Sequence, residues 1–431
     1  MLVFVSDLHF VDETAGRHNI ATEAFRIFFQ DIAGNVERYK KNNREIQEIK
    51  IVFLGDIFDL LRTEAWFGHP VDERPWGTDE SEIEAHAEAI FDTIISKNRE
   101  TFDLLKKDLK KEFGFPFEPE RIYIPGNHDR LCNKYPKLRE KVREELGIEK
   151  SADRFDHFYQ NTDYGVFARH GHEFDKFNYE GGLTYSYEDY MKVPIGDPIT
   201  TELIAKLPWQ IMQHDDIRNV PQTDQDNLKR NFQEIENVRP FSATIEWLLY
   251  QVKKNLTLKE AVEDSVDEVI QEFNDLDFVK KWYKHHDRWI NPIDEADKIQ
   301  AALFLLEKFK IFSSEKIMPM IEKIKDRFSK DDLLEAAPNE YKRLDNRIRY
   351  IVYGHTHDPL QAPIRIVEDP TGIKEHVYLN TGTWRGRYYK TKEGLGFINW
   401  KNMTYTVFYK KEERDTDFPA YETWTGTLKS M

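Results

Sequence analysis

The chain has 431 residues and a formal net charge of −16, and 40% of its residues are hydrophobic. This composition is that of a folded globular protein and excludes an intrinsically disordered one, and the length suits a core domain with an insertion. The acidic balance disfavours a general polyanion-binding protein, and the sequence carries no strong signal for nucleic-acid binding.

A single cysteine, Cys132, excludes an intrachain disulfide and fits a reducing compartment. We expect it to be a small, buried or partly buried apolar side chain. The chain enters an apolar run at Leu2, so no signal peptide is expected, and no run of about 18 apolar residues predicts a membrane span. A cytoplasmic protein is therefore predicted, and the sequence does not indicate its oligomeric state.

In the first 180 residues, short apolar runs alternate with helical patterns. The runs predict strands at 2–5, 51–54, 121–124, 155–160 and 164–168. The helical patterns lie at 20–40, 81–113 and 135–146. Strands that alternate with helices indicate an α/β fold with buried strands.

The pattern changes after Gly181-Gly182 and is almost wholly helical from residue 200 to about 346. We interpret this stretch as a helical insertion between two halves of one α/β domain. Strand-like sequence then resumes at 348–353, 364–367, 377–379, 396–400 and 405–409. The polar tail after Glu412 is expected to cover the surface.

Five of the apolar runs lead directly into residues of metal-binding type. The resulting motifs are Asp7-Leu8-His9, Gly55-Asp56, Gly126-Asn127-His128, His170 and Gly354-His355-Thr356-His357. Ligands of α/β sheets gather at the carboxyl ends of strands, so we expect these side chains to meet. Dinuclear hydrolytic sites need such nitrogen and oxygen ligands, including one bridging carboxylate, around metals about 3.5–4 Å apart.

In this order, the motifs resemble those of the calcineurin-like metallophosphoesterase superfamily, over about residues 1–180 and 347–410. The resemblance implies a metallophosphoesterase-type four-layer α/β/β/α sandwich with a large helical insertion. Its first core half would be 1–180, its insertion or cap 181–346, and its second core half with the C-terminal tail 347–431.

The resemblance also implies two divalent metal ions, with Mn expected and Fe, Zn or Ni as alternatives. One ion would be held by Asp7, His9, Asp56 and His357, and the other by Asp56, Asn127, His170 and His355. Asp56 would bridge the two ions. A metal-bridging hydroxide would attack a phosphate ester, while His128 would stabilise charge on the phosphoryl group or protonate the leaving oxygen. Asp56 and His128 are therefore the predicted catalytic residues.

Each of several further residues near the motifs could have either of two roles. Asp59 and Asp129 are expected to orient ligands by accepting hydrogen bonds, rather than to bind metal themselves. His172 either lines the substrate site or closes the turn after His170. Arg385 and Arg387 suit phosphate binding, but we favour ion pairs within the fold for both.

We therefore predict a phosphoesterase whose partner is a phosphate-ester substrate, with phosphodiesters preferred. A pyrophosphohydrolase of the UDP-2,3-diacylglucosamine type or a nuclease of the same fold is the alternative. The first of these branches tends to have arginine at the position of His128 and has a much smaller cap. A non-enzymatic interaction module remains a further alternative, against which the full ligand set and His128 count.

Overall fold

The computed structural model describes residues 1–18, 20–42, 44–182, 186–239, 243–253, 255–286, 332–369, 372–394, 396–413 and 420–427. These residues form a mixed α/β fold with two β-sheets, which confirms the predicted fold class in this general form. Residues 287–331 of the predicted insertion lie outside the description. Within the described ranges, no helix combines the length and apolar character needed to span a bilayer.

The first sheet has the strand order β3-β2-β1-β11-β10-β6, and β12 also pairs with β11. Its strands are β1 (Leu2–Val5), β2 (Lys50–Leu54), β3 (Glu120–Ile124), β6 (Val238–Arg239), β10 (Gly386–Lys390), β11 (Phe397–Phe408) and β12 (Tyr421–Thr427). Strands β1, β2 and β3 are parallel, so their carboxyl ends share one edge of the sheet. Strand β11 runs antiparallel to β1.

The second sheet has the order β4-β5-β7-β9-β8. Its strands are β4 (Tyr159–Asn161), β5 (Val166–Ala168), β7 (Tyr350–Tyr353), β8 (Leu360–Asp369) and β9 (Gly372–Asn380). Strand β5 pairs in parallel with β7, although about 180 residues separate them along the chain. The second half of the chain therefore returns to the strand that precedes His170.

Side chains alternate between the two faces of each sheet, as the two-residue period of a strand requires. Leu2 and Phe4 of β1 belong to a core that also contains Val166 of β5 and Val352 of β7, so this core lies between the sheets. Val3 of β1 belongs instead to a core that the first sheet shares with helices.

Helices cover the outer faces of both sheets. Those of the first 150 residues are α1 (Thr22–Lys41), α2 (Glu80–Lys97), α3 (Arg99–Leu105), α4 (Leu109–Phe113), α5 (Arg130–Lys134) and α6 (Pro136–Leu146). Their buried faces join the core of the first sheet. On the second sheet, Leu333 and Ala337 of a later helix pack with Phe167 and Ile351.

The prediction of one continuous helix over 81–113 is wrong, because the structure divides this stretch into α2, α3 and α4. Asn98, between α2 and α3, donates side-chain hydrogen bonds to the carbonyl oxygens of Val11 and Ile94. The Asp108 carboxylate then accepts from the backbone N–H of Lys111 and starts α4. Local hydrogen bonds therefore interrupt a pattern that is helical in its spacing.

The inserted segment is mainly helical where it is described. Its helices are α7 (Tyr187–Tyr190), α8 (Gly196–Pro198), a π-helical stretch (Ile199–Ala205), α9 (Lys206–Gln213), α10 (Asp215–Arg218), α11 (Gln222–Phe232), α12 (Thr244–Val252), α13 (Leu256–Asp275), α14 (Asp277–His286) and α15 (Asp332–Glu340). A separate hydrophobic core includes Ile211, Phe232 and Phe273. The segment also contributes β6 to the edge of the first sheet, which the helical pattern did not predict.

Three further differences concern the C-terminal part. The strands predicted at 396–400 and 405–409 are one strand, β11. Strand β10 was not predicted, and the tail predicted to cover the surface contains β12, which pairs with β11 along its length. Cys132 is fully buried, as expected.

We expect Ile51→Ala to lower the free energy of unfolding by about 2–5 kcal/mol, because it leaves a cavity in the core between the first sheet and its helices. Ile366→Ala is the matched control, since Ile51 is 0% exposed and Ile366 is 72% exposed. The control should change stability by no more than about 1 kcal/mol. Urea unfolding with an unchanged m-value measures both, and equal losses would contradict the assignment of this core.

Candidate metal centre

The strand ends of both sheets converge on one group of carboxylates and imidazoles. Ligand atoms of Asp7, His9, Asp56 and His357 all lie within 4.8 Å of one another. Ligand atoms of Asp56, His170 and His355 form a second such group. Asp56 belongs to both groups, so six of the seven predicted ligands, all except Asn127, meet around one shared carboxylate.

The backbone at these positions has an uncommon conformation. Five non-glycine residues of the centre have positive φ angles: Asp7 (53°), His9 (44°), Asp56 (51°), His355 (67°) and His357 (64°). Only a few per cent of residues other than glycine adopt this left-handed backbone conformation. Such residues concentrate at functional sites, where the surrounding structure holds them.

Two glycines allow the strand ends to approach each other. A Cβ atom on Gly126 would lie 2.1 Å from Oδ1 of Asp56, and one on Gly354 would lie 2.5 Å from Oδ2 of Asp7. Any side chain at either position would displace a carboxylate of the centre. The glycines in the Gly-Asn-His and Gly-His-Thr-His motifs therefore have a steric function.

The carboxylate of Asp59 orients two histidines at once. Its Oδ2 lies 3.1 Å from Nδ1 of His9, and its Oδ1 lies 3.0 Å from Nδ1 of His128. Because an ionised carboxylate only accepts hydrogen bonds, both Nδ1 atoms carry protons. The lone pair of His9 is then on Nε2, which lies 3.7 Å from Oδ2 of Asp56. These contacts are those expected of a residue that orients histidines.

Two other histidines are oriented in the same way. Nδ1 of His170 donates to the carbonyl oxygen of Leu54 at 3.0 Å, so its Nε2 faces Oδ2 of Asp56 at 3.1 Å. Nε2 of His355 lies 2.9 Å from Oδ2 of Asp175, which leaves Nδ1 as the atom with a lone pair. Oxygen acceptors of this kind are the usual partners of metal-binding histidines.

His357 differs from the other three. Nη2 of Arg239, in β6, donates to Nδ1 of His357 at 3.0 Å. Nε2 of His357 lies 3.0 Å from Nε2 of His9 and 3.4 Å from Oδ1 of Asp7. The inserted segment therefore reaches the metal-binding residues through Arg239.

Burial and pairing set the protonation states of the centre. Burial lowers the pKa of His9 to about 3, so this imidazole is neutral at physiological pH. Burial alone would raise the pKa of Asp56, but the His170 and His128 imidazoles outweigh it and hold that pKa well below its usual value. Against burial, the Asp56 and Asp7 carboxylates raise the pKa of His170 to about 10. Metal binding at His170 must therefore displace a proton.

Among the predicted ligands, Oδ1 of Asn127 is a buried polar atom without a hydrogen-bond partner in the described part of the chain. The Asn127 side chain donates through Nδ2 to Asn178 at 3.2 Å, so only its oxygen is unpartnered. Unpartnered buried polar atoms cost free energy, which coordination of a cation would offset. Carboxylate, imidazole and amide donors fit divalent metal ions without selecting one of them.

The remaining predicted residues have mainly structural contacts. Asp129 accepts from the backbone N–H groups of Gly126 and Ile57, as expected of an orienting residue. His172 is 4% exposed and begins a single 3-10 turn, which favours the turn-closing reading. Arg385 pairs with Glu236, and Arg387 pairs with Asp358, so both form ion pairs within the fold.

Asp175, Asn178, Arg239 and Glu236 contact the centre and were not predicted from the sequence. The Glu236 carboxylate lies within 4.8 Å of ligand atoms of His9, Asp59 and His128. None of the four belongs to a motif that follows an apolar run, and we find no sequence signal that would have identified them.

No protein-family model matches this chain, and no curated protein does. The likeness to metallophosphoesterases therefore stays a prediction that rests on the motifs. The metal-binding capacity of the centre rests separately on its geometry.

We expect Asp56→Ala to abolish binding of both metal ions, because the Asp56 carboxylate belongs to both ligand groups. The measurement is the manganese content per chain after loading and desalting. Asp31→Ala in α1, a half-buried aspartate far along the chain from every motif, is the matched control and should bind manganese like the unaltered protein. An Asp56→Ala protein that keeps its full manganese content would show that the ligand assignment is wrong.

Proposed function

We propose that the protein is a dinuclear metal-dependent phosphoesterase with a metallophosphoesterase-type α/β/β/α sandwich. Asp7, His9, Asp56 and His357 would hold one divalent ion, and Asp56, Asn127, His170 and His355 the other. Two bound ions supply Lewis-acid activation of the phosphoester and of the attacking water. Manganese is the ion we expect, with iron, zinc or nickel as alternatives.

The shared carboxylate of Asp56 is the observation that carries the proposal. A single metal site needs no residue common to two ligand groups, whereas a dinuclear site needs a bridging carboxylate. Asp56 is 1% exposed, and it lies within 4.8 Å of ligand atoms of histidines from both halves of the chain. The unpartnered Oδ1 of Asn127 supports the second ion.

The packing of the sheets supports the sandwich. Leu2 and Phe4 of the first sheet share a core with Val166 and Val352 of the second, and helices cover the opposite face of each sheet. The ligand residues at the ends of β1, β2, β3, β5 and β7 then lie at one end of the inter-sheet core. This is the arrangement that the family resemblance predicts.

His128 is the residue of this chain that we assign to proton transfer. Asp59 holds its Nδ1 at 3.0 Å, and its ring centroid lies 4.8 Å from that of His9. Its backbone N–H donates to Oδ1 of Asp56 at 2.9 Å, which fixes it beside the centre. With Nδ1 held, Nε2 is the atom available to donate a proton to a phosphoryl or leaving oxygen.

Phosphodiesters are the preferred substrates in this proposal, and a diphosphate bond or a nucleic-acid backbone is the alternative. A substrate-binding role for the inserted segment is supported by Glu236 and Arg239, which lie beside His128 and His357 respectively. The net charge of −16 disfavours a protein that tracks duplex DNA.

Hydrolysis of bis-p-nitrophenyl phosphate and of p-nitrophenyl phosphate by the manganese-loaded protein tests the proposal. We expect turnover of the diester to exceed that of the monoester, to stop on chelation and to return when manganese is added back. Parallel assays with a nucleotide-sugar diphosphate and with a single-stranded oligonucleotide distinguish the two alternatives. If the metal-loaded protein turns over none of these four substrates, it is not a phosphoesterase. That result would favour the non-enzymatic interaction module.

We expect His128→Ala to lower kcat by about 10²–10⁴, because general acid catalysis contributes on that order. Its manganese content should be unchanged, since His128 belongs to neither proposed ligand set. His172→Ala is a useful comparison, because it removes a neighbouring buried imidazole that we assign to the fold. A His128→Ala protein with full metal content and unchanged kcat would contradict the assignment.

A further inference from the structure

A second cluster of metal-binding side chains lies in the loop before α2 and on α2 itself. Ligand atoms of His69, Glu73 and His86 all lie within 4.8 Å of one another. His69 follows a short 3-10 turn at Glu64–Gly68, and Glu73 ends another at Val71–Glu73. The cluster shares no residue with the centre around Asp56.

The separations within the cluster are close to those of ligands on one zinc ion. Zinc binds nitrogen and oxygen at about 2.0–2.2 Å, so two tetrahedral ligands lie about 3.3–3.6 Å apart. Oε2 of Glu73 lies 2.9 Å from Nε2 of His86 and 3.7 Å from Nδ1 of His69. Tetrahedral coordination would therefore require Glu73 and His86 to move slightly apart and Glu73 and His69 slightly together.

A fourth ligand is available on the same helix. Glu82 precedes His86 by one helical turn, and its Oε2 lies 3.9 Å from Nε2 of His86. Its side chain is 51% exposed. Either this carboxylate or a water molecule would complete a tetrahedron of two nitrogens and two oxygens.

Ion pairing alone does not account for the arrangement of the imidazoles. The rings of His69 and His86 are stacked with their centroids 3.5 Å apart and their planes at 25°. Like charges repel at that distance, so pairing of two imidazolium ions with Glu73 does not explain the stack. A neutral imidazole offers a nitrogen lone pair beside an ionised carboxylate, which is the form that binds metal.

We propose that His69, Glu73 and His86 bind a zinc ion, with Glu82 or water as the fourth ligand. Two imidazoles select zinc and similar ions over magnesium or calcium, which prefer all-oxygen sites. The half-exposed position and the absence of a shared residue separate this ion from the two of the proposed catalytic centre. The proposal does not depend on phosphoesterase activity.

An ion at this cluster would fix how the loop meets the inserted segment. The carbonyl oxygen of His69 accepts from Nε and Nη2 of Arg74 at 3.2 and 3.1 Å. Nη1 of Arg74 pairs in turn with the carboxylate of Glu202 in the π-helical stretch. Zinc would therefore connect α2, the loop and the inserted segment through one chain of contacts.

Zinc content of the full-length protein, measured after loading and desalting, tests the proposal. We expect the double variant His69→Ala/His86→Ala to hold one zinc per chain fewer than the unaltered protein, while the catalytic centre loads equally in both. His214→Ala is the matched control, since its side chain is 29% exposed and lies 3.6 Å from a carboxylate oxygen of Asp216. The control should retain the full zinc content.

Hydrogen exchange gives a measurement that is local to this cluster. Peptides covering 63–90 should exchange more slowly on addition of zinc in the unaltered protein and in His214→Ala, but not in the double variant. Glu73→Gln keeps the shape of the side chain and should weaken this zinc-dependent protection by at least about tenfold in zinc concentration. Equal zinc content and equal protection in all four proteins would overturn the proposal.

Discussion

The burial of the Asp56 carboxylate is the constraint on which the centre depends. A carboxylate that is 1% exposed is costly unless it is paired. Its partners are the His170 imidazole at 3.1 Å and the backbone N–H of His128 at 2.9 Å, with His9 slightly farther away. Because these partners follow strands of both sheets, satisfying one charge requires the sheets to be packed with their ligand-bearing ends together.

That requirement explains the strained backbone. Left-handed conformations at non-glycine residues cost on the order of 1–3 kcal/mol each, and five residues of the centre adopt them. The strands on either side hold these turns through ladder hydrogen bonds and through the core between the sheets. The apolar runs before each motif therefore do more than bury surface, because they hold the polar residues after them in conformations that isolated turns would avoid.

The position of a residue relative to the apolar runs determined whether the sequence could identify it. Residues that follow an apolar run were identifiable, since the run marks a strand and its end marks a ligand position. Asp59 was identifiable because it lies in the same turn as Asp56. Asp175 and Arg239 were not, because tertiary packing alone brings them to the centre. Strand β12 was missed for a related reason: its pattern is polar because Trp424 and its neighbours are largely exposed.

Arg239, from the inserted segment, would compete with a metal ion for the nitrogen lone pair of His357. A guanidinium can only donate, so Nδ1 of His357 must accept, and a neutral ring then carries its proton on Nε2. In that state His357 donates to Nε2 of His9, whose own Nδ1 faces Asp59. A neutral imidazole has only one nitrogen lone pair, so His357 cannot accept from Arg239 and bind a cation together. If His357 holds an ion as proposed, binding of that ion would have to release Arg239, and this would couple the metal centre to the inserted segment through β6.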